Sequence, residues 1–364
     1  MISYNGWDRE YLENREHYQK LFDSSMMKEY EGGTEELEEQ IKNYTGRKYA
    51  VSCSSATDAL QFSLMANNIG PGDQVICSNF SWISTASCIS MVGAMPVFCD
   101  IDLDSYHMSL DSVKAMYNEG VKALIYTHLF GNMSDTTEVE NFCKEKGIVF
   151  IEDSAQSLGS SYNGRKAGTI GDCSSYSFNG NKVIGGICGG GMFMTDDEEQ
   201  ARFVRKVRRH GKNKDFELLG RNSKMYIINA DIISYRLLFM KKWQKRRQEI
   251  AEIYTNSLSH IFNITQLDEK VNHNFHKYVI RYDNKDLRMA GKNMMKGTEY
   301  FNPSIHYEKA LSDNTMYAMN HRQYRKDHTP NAQLAADTVM TLPCHAWMTD
   351  DEAQTIANMV SLTQ

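Results

Sequence analysis

The sequence predicts an α/β protein with a large, mixed but mostly parallel sheet, followed by a smaller C-terminal α+β domain. Short apolar runs of strand length alternate with helix-like segments through the first part of the chain. The runs are almost continuously apolar, as expected for strands that are buried on both faces. After about residue 235 this alternation is replaced by one long amphipathic helix and a strand and helix pattern. We therefore predict domains at residues 1–235 and 236–364.

The elements of the large domain follow one another in a regular order. Thr34 precedes a run of glutamates, which predicts an N-cap and a first helix. A second helix is predicted to close at Gly70, Pro71 and Gly72. The predicted strands are KYAVSCSS, QVICSN, MPVFCDID, ALIYTHLF and VFIEDS, and the helices between them are SATDALQFSLMANNIGPGD, FSWISTASCISMVGA, SLDSVKAMYNEG and SDTTEVENFCKEKG. Because ligands of such folds gather at the carboxyl ends of the strands, the loops after these runs are the candidate site.

The C-terminal part has fewer and longer elements. The run LLFMKKWQKRRQEIAEIYTNSL predicts a long amphipathic helix. A strand, a turn and a helix are predicted from HKYVIRYDNKDLRMAGKNM, and AADTVMTLP leads into a last helix, TDDEAQTIANMVSL. This order predicts the smaller α+β domain, joined to the first through the long helix.

Composition excludes several classes of function. The chain has 364 residues with 41% hydrophobic and 24% charged residues and a net charge of -6, which argues against nucleic acid as a main partner. No apolar run approaches the roughly 20 residues that span a bilayer, and the polar N-terminus does not resemble a secretory signal. The eight cysteines are scattered without a CxxC pair. We expect buried thiols, neither disulfides nor a metal site, and a cytoplasmic protein.

Lys182 is the first candidate for chemistry. It stands between the strand-like SSYSF and the glycine-rich KVIGGICGGG. Glycines let backbone or a bulky ligand approach closely. A lysine whose pKa is lowered by burial becomes a nucleophile that can form a Schiff base, although most single lysines are solvated surface residues.

Three further stretches supply complementary chemistry. Asp153 ends a buried strand, where its carboxylate suits a protonated ring nitrogen, or alternatively Asp153 or Ser154 caps a helix. Glu152 is expected to face a structural partner. SSATDAL opens a helix and offers N–H groups to a phosphate, as many helices do. Trp82 follows a strand and would either stack on a planar cofactor or lie in the core. An amine, a carboxylate, a phosphate cradle and a stacking face together meet the needs of pyridoxal 5'-phosphate.

With these motifs the chain resembles the sugar aminotransferases of the DegT/DnrJ/EryC1/StrS family. The resemblance covers nearly the whole length and rests on VSCSSATDALQFSL, SNFSW, THLFGN, IEDSAQSLGSSYNGRKAGTIGDCSSYSFNGNK, RNSK, SIHYEKAL and LPCHAWMTDDE. It implies the aspartate-aminotransferase (type I) fold, pyridoxal phosphate as cofactor, and a homodimer with shared active sites. The FNGNK form is most similar to members that move an amino group from L-glutamate to C4 of nucleotide-linked 4-keto-6-deoxyhexoses, such as dTDP-4-keto-6-deoxy-D-glucose, for O-antigen or other surface glycans.

The resemblance also implies roles for single residues. Lys182 matches the lysine that holds the cofactor covalently and moves the proton. Asp153 matches the partner of the ring nitrogen, Gln156 the contact of the ring hydroxyl, and Ser177 a phosphate ligand.

Four more positions follow from the same motifs. The backbone of Ala56 and Thr57 matches the phosphate-binding helix start, and Trp82 the aromatic stacked on the cofactor. Asn222 matches an asparagine that reaches the phosphate of the partner subunit's cofactor, and His306 lies in a loop that lines the sugar site of many members.

Two segments depart from the family pattern. KVIGGICGGG has two glycines where a Thr-Thr pair is usual, and NSKMYIINA has Lys224 and Tyr226 in place of an arginine and an aspartate. These departures leave open amination at C3 or of another keto sugar, a dehydratase-like relative, and a member that binds the cofactor without transamination. The presence of Lys182 argues against the dehydratase, in which a histidine replaces this lysine.

Overall fold

The computed structural model describes residues 2–3, 5–27, 33–213, 215–296, 301, 303–319, 324–326 and 328–364. The helices in these ranges are α1 Trp7–Met26, α2 Glu35–Thr45, α3 Ala56–Ala66, α4 Ser84–Met91, α5 Leu110–Met116, α6 Thr137–Lys146, α7 Glu198–Val207, α8 Ile227–Leu237, α9 Met240–Leu258, α10 Lys285–Met295, α11 Thr315–Ala318, α12 Pro330–Thr338 and α13 Asp350–Ser361. The strands are β1 Tyr49–Cys53, β2 Gln74–Ser78, β3 Met95–Cys99, β4 Val121–Thr127, β5 Val149–Asp153, β6 Ser161–Tyr162, β7 Arg165–Lys166, β8 Cys173–Ser177, β9 Gly191–Thr195, β10 Asn263–Ile264, β11 Val271–Asn272, β12 Tyr278–Arg281, β13 Arg325–Lys326 and β14 Val339–Leu342.

A large sheet organises the first part of the chain. Its eight strands lie in the order β1-β9-β8-β5-β4-β2-β3-β13. Neighbouring strands pair in parallel except around β9, which is antiparallel to both β1 and β8. The prediction of a mixed, mostly parallel sheet is therefore confirmed.

Both faces of this sheet are covered, which explains the continuous apolar runs. In β2, Val75 and Cys77 belong to one buried cluster and Ile76 belongs to another. Alternate residues of a strand point to opposite faces. Each face therefore needs apolar residues, and the strand has no polar side.

The C-terminal part forms a second, smaller sheet. Strands β10, β12 and β14 are antiparallel and pack with α9, α10 and α13 around a separate buried cluster. The predicted long helix begins three residues late, at Met240, because α8 ends at Leu237 and two residues separate them. The predicted domain division at residues 235 and 236 falls inside α8 and remains a prediction.

The predicted N-cap at Thr34 is wrong in its hydrogen bonding. Helix α2 does begin at Glu35, but Thr34 has a helical backbone conformation and its side chain does not cap. Its hydroxyl instead accepts a hydrogen bond from Ser52 Oγ, 3.0 Å away in β1. The residue thus ties the helix to the sheet, a contact that local sequence does not reveal.

The parallel strands bring one set of loops together. β2, β4, β5 and β8 all end at the same edge of the sheet. The loops that follow these strands carry Trp82, Gln156 and Lys182. Within the described ranges, no helix combines the length and the apolar character needed to cross a membrane.

Candidate active site

A cavity of about 370 Å³ lies at the carboxyl edge of the large sheet. It is lined by loops of the sheet and by residues of the C-terminal part. Eight of the nine predicted site residues line it, namely Ala56, Thr57, Trp82, Asp153, Gln156, Ser177, Lys182 and His306.

Lys182 is held in a tight turn after β8. Its backbone N–H donates to the Asn179 carbonyl at 2.9 Å, and the Gly186 N–H donates to the Phe178 carbonyl at 2.8 Å. The side chain is half-buried and faces the cavity. Burial lowers the pKa of Lys182 to about 8, against the attraction of the nearby Asp153 carboxylate, which raises it. At pH 7 about a tenth of the amine is therefore neutral and nucleophilic, far more than for a solvated lysine.

Asp153 is the last residue of β5 and is almost fully buried. Its Oδ1 accepts from the Ala155 N–H at 3.1 Å, and its Oδ2 accepts from the hydroxyls of Thr85 and Thr127 at 3.2 and 3.3 Å. Burial raises the pKa of Asp153, whereas these hydrogen bonds and Lys182 lower it. A turn, not a helix, follows at residues 155–159, so the capping alternative is not observed.

The neighbouring carboxylate, Glu152, has a structural role as expected. It accepts from the N–H groups of Gly168 and Ile170, both at 2.8 Å, and lies 3.0 Å from His128 Nε2. Glu152 does not line the cavity that contains Asp153, because successive side chains of a strand point to opposite faces.

The side-chain amide of Gln156 is held at both ends. Its Oε1 accepts from the Phe130 N–H at 2.9 Å, and its Nε2 donates to the Tyr307 hydroxyl at 3.0 Å. Tyr307 also lines the cavity, and burial raises its pKa, so it is a neutral phenol. Gln156 therefore presents a fixed edge to the cavity.

Trp82 lies in the cavity wall and not in the core. Its side chain is 56% exposed, and its ring centroid is 5.9 Å from that of Tyr307. The alternative of a core tryptophan is therefore wrong. The exposed ring face is available for stacking on a planar ligand.

The start of α3 forms another part of the wall. The Ser55 side chain caps it by accepting from the Asp58 N–H. Ala56 and Thr57 occupy the first turn, where N–H groups have no carbonyl partner within the helix. Ser177 also lines this cavity, and its hydroxyl accepts from the Asn179 N–H at 3.3 Å. Backbone N–H groups and a hydroxyl together suit a phosphate.

Three basic side chains from the C-terminal part complete the cavity. They are His276, Lys277 and His306, and sequence reasoning singled out the last of these. Burial and the charge of Lys182 lower the pKa of Lys277 to about 8. Burial lowers the pKa of His306 to about 3, so this ring is neutral, and its Nδ1 lies 2.9 Å from Thr341 Oγ1. Sequence reasoning missed Lys277. The sequence feature that could have indicated it is a charged residue directly before the apolar strand that begins YVI.

Asn222 lies elsewhere. It lines a second cavity of about 330 Å³, together with Arg209, Lys224 and Tyr226. Arg208 borders this cavity but pairs with Glu38 at 2.9 Å. Within one chain the structure therefore separates Asn222 from Lys182, and the two departures at Lys224 and Tyr226 belong to the second cavity.

The residues of the first cavity fit pyridoxal 5'-phosphate. A buried carboxylate, a half-buried amine, an exposed indole face and a helix start all line one space. They match the ring nitrogen, the aldehyde, the ring face and the phosphate of that group. Among the described residues there is no cluster of three or more histidine, cysteine or acidic side chains that could hold a metal ion.

The chain is similar to known proteins over most of its length. The family model for the DegT/DnrJ/EryC1/StrS aminotransferase family matches residues 10–361. A pleiotropic regulatory protein of Geobacillus stearothermophilus is 31% identical over 89% of this chain and 87% of its own length. A UDP-2-acetamido-2-deoxy-3-oxo-D-glucuronate aminotransferase of Pseudomonas aeruginosa is 31% identical over 86% of each chain.

Solved structures agree with these relatives. A DegT/DnrJ/EryC1/StrS aminotransferase from Brucella abortus superposes with a TM-score of 0.92 at 26% identity, over 99% of this chain and 98% of the other. The PLP form of Spr1654 from Streptococcus pneumoniae, described as a sugar aminotransferase, superposes with a TM-score of 0.86 at 25% identity, over 96% of each chain. The type I fold expected from the sequence is confirmed.

Proposed function

Because the chain belongs to the DegT/DnrJ/EryC1/StrS aminotransferase family and is a pyridoxal 5'-phosphate-dependent aminotransferase, we propose that it aminates a nucleotide-linked keto sugar at C4. The donor is L-glutamate, and the acceptor is a 4-keto-6-deoxyhexose such as dTDP-4-keto-6-deoxy-D-glucose. The observation that carries this proposal is the shared cavity of Lys182 and Asp153. The FNGNK motif, which contains Lys182, favours C4.

Lys182 and Asp153 carry the chemistry in this proposal. Pyridoxal phosphate, when bound, supplies a carbonyl that condenses with amines and a ring that withdraws electrons. Lys182 would hold that carbonyl through Nζ, and its free amine would move a proton to and from the substrate carbon as a general acid and base. Asp153 holds the proton on the ring nitrogen through its buried carboxylate.

The other predicted residues position the cofactor. The N–H groups of Ala56 and Thr57 and the hydroxyl of Ser177 bind its phosphate. Trp82 covers one face of its ring, and Gln156 contacts the ring hydroxyl. Since these groups are fixed by the fold, the reacting atoms are aligned before chemistry begins.

One lysine in the wall of the cavity suits anionic substrates. Lys277 is buried opposite the sheet loops in the same cavity as Lys182. A cation in this position attracts a carboxylate of the donor or a phosphate of the nucleotide. His306, close to Tyr307, is the candidate contact for sugar hydroxyls, because its neutral ring both donates and accepts hydrogen bonds.

Amination at C3 is a second candidate. The name of the Pseudomonas aeruginosa relative places the oxo group of its substrate at C3.

One experiment separates these candidates. We expect purified enzyme with L-glutamate to convert a 4-keto-6-deoxyhexose from a panel of dTDP-, UDP- and GDP-linked 3-keto and 4-keto sugars to a 4-amino sugar, identified by mass and NMR. A 3-amino product would show that the enzyme aminates C3 and not C4. If glutamate leaves the cofactor's absorption unchanged and no amino sugar forms, L-glutamate is not the donor and the proposal is wrong.

We also propose a homodimer in which Asn222 acts on the partner's site. The second cavity holds Asn222 beside Arg209, away from Lys182 of its own chain. A two-fold interface would place this cavity against the first cavity of the other subunit. Asn222 would then reach the phosphate bound by that subunit.

Mixed dimers test this arrangement. A dimer of one Lys182→Ala and one Asn222→Asp subunit has one intact site if Asn222 acts on the partner's site. Random mixing of the two inactive variants should therefore restore about a quarter of the wild-type rate. Mixing that restores nothing, although mixed dimers are detected by mass, would assign Asn222 to its own subunit.

The remaining proposals concern the cellular setting. The eight cysteines are free thiols, and seven of them are buried, which suits the cytoplasm. An amino sugar made there would serve O-antigen or another surface glycan.

A further inference from the structure

Side chains that are distant in sequence contact the backbone of the loop that carries Lys182. We define the lysine loop as residues 179–190, which includes the glycine-rich departure from the family pattern. Two residues of α8 and one residue of α1 contact its backbone. None of them lines the cavity that contains Lys182.

Asn229 binds the second half of the lysine loop. Its Oδ1 accepts from the N–H groups of Ile187 and Cys188 at 2.8 and 3.1 Å, and its Nδ2 donates to the Gly189 carbonyl. The side chain is almost fully buried. One amide therefore satisfies backbone groups of three consecutive residues.

Arg236 binds the middle of the loop, at Gly185. Its Nη1 donates to the Gly185 carbonyl, and its Nε lies 2.9 Å from Glu10 Oε1 in a buried ion pair. Asn229 and Arg236 are seven residues apart, about two helical turns, and so share a face of α8. This face presents both side chains to the loop.

Close neighbours explain the two glycines of the departure. A Cβ at position 185 would be 2.6 Å from the Asn179 carbonyl oxygen and 2.9 Å from Cζ2 of Trp7 in α1, and a Cβ at position 186 would overlap the Asn229 amide. The Trp7 ring lies 4.3 Å from the Arg236 guanidinium. A Thr-Thr pair would not fit here. The absence of side chains at these two glycines thus lets other protein groups lie close to the loop backbone. The glycine-rich sequence predicts such a close approach, by backbone or by a ligand.

We propose that Asn229 and Arg236 are positioning residues for Lys182, acting through the lysine loop. The inference depends on the proposed role of Lys182 as the reacting amine. The backbone of residues 179–190 sets where Nζ can reach, and the two side chains restrict that backbone at Gly185 and at residues 187–189, on the C-terminal side of Lys182. A displacement of about 1 Å in a reacting group lowers a rate by roughly 100-fold.

Conservative substitutions separate positioning from stability. Asn229→Asp keeps the shape and the acceptor for two N–H groups but removes the donor to Gly189. Arg236→Lys keeps the charge but cannot hold both Glu10 and Gly185. The matched control is Arg47→Lys, because Arg47 is also a buried arginine that binds a carboxylate, Asp196, and loop carbonyls, but away from the lysine loop.

Two readouts are needed for each variant. The first is kcat and KM of the glutamate half-reaction. The second uses cofactor-free protein and follows the acetylation of Lys182 as a function of pH by peptide mass spectrometry. Thermal unfolding of each variant measures the stability change separately.

We expect Asn229→Asp and Arg236→Lys to lower kcat by roughly 10- to 100-fold with a small change in KM. Loosening the loop lets water reach the amine, so the acetylation midpoint should move up from about pH 8. Arg47→Lys should lower the unfolding temperature without either effect.

The proposal is overturned if both α8 variants unfold at lower temperature but keep the wild-type kcat and midpoint. Should one variant fail to fold, the other decides. If the wild-type protein does not react with L-glutamate, the proposed function fails, and the acetylation midpoint of the cofactor-free variants still tests whether the two residues position Lys182.

Discussion

Replacing Lys182 by alanine is expected to lower kcat by at least about 1,000-fold, because the nucleophile and the proton carrier are lost together. Its Nζ lies in the cavity, and burial lowers its pKa to about 8. The variant should no longer bind pyridoxal phosphate covalently. Borohydride reduction of the holoenzyme followed by peptide mass spectrometry measures this directly.

Lys277 provides a demanding control for this experiment. It lines the same cavity, and burial lowers its pKa to about 8 as well. Apart from burial, neighbouring cations lower the pKa of Lys277 further, whereas the Asp153 carboxylate raises the pKa of Lys182. We therefore expect the reduced cofactor on residue 182 and a Lys277→Ala variant that keeps the attachment but has a raised KM. A reduced cofactor on residue 277 would overturn the assignment.

The sequence could predict the sheet side of the site because the topology follows from local pattern. Continuous apolar runs indicated parallel strands, and the carboxyl ends of parallel strands meet at one edge. Asp153 at the end of β5 and Lys182 after β8 therefore had to lie near each other. The separation of Glu152 from this site followed from alternation along the strand.

The other half of the site depends on packing between distant segments. Tyr307 and Lys277 reach the cavity from the C-terminal part, and no local pattern shows which loop they meet. The amide of Asn229 is another example, since an isolated asparagine in an apolar helix gives no indication of the three backbone groups that it binds.

The second large effect is expected at Asp153. Replacing it by asparagine keeps a side-chain oxygen for the Ala155 N–H and removes the charge that we propose faces the ring nitrogen. Loss of one preorganised electrostatic group of this kind lowers kcat by roughly 100- to 1,000-fold. The shape is retained, but the amide nitrogen cannot accept the hydrogen bonds that Thr85 and Thr127 donate to Oδ2, so stability should fall by about 1–3 kcal/mol.

A change at Lys182 should accompany the loss of rate. The Asp153 carboxylate raises the pKa of Lys182 against the effect of burial. Without that carboxylate, burial still lowers the pKa of Lys182 and the opposing attraction is lost. The pKa of Lys182 should therefore fall below about 8. Acetylation of Lys182 in cofactor-free Asp153→Asn protein should then have a midpoint at lower pH than in the wild type.

Glu152→Gln is the matched control, since it changes the adjacent carboxylate of the same strand. Glutamine has one acceptor oxygen for the two N–H groups of Gly168 and Ile170, so it should lower stability by about 1–3 kcal/mol. Its kcat and the acetylation midpoint of Lys182 should match the wild type. If both variants fold and lose the same activity, charge at residue 153 has no specific role and the proposed partner of the ring nitrogen is wrong.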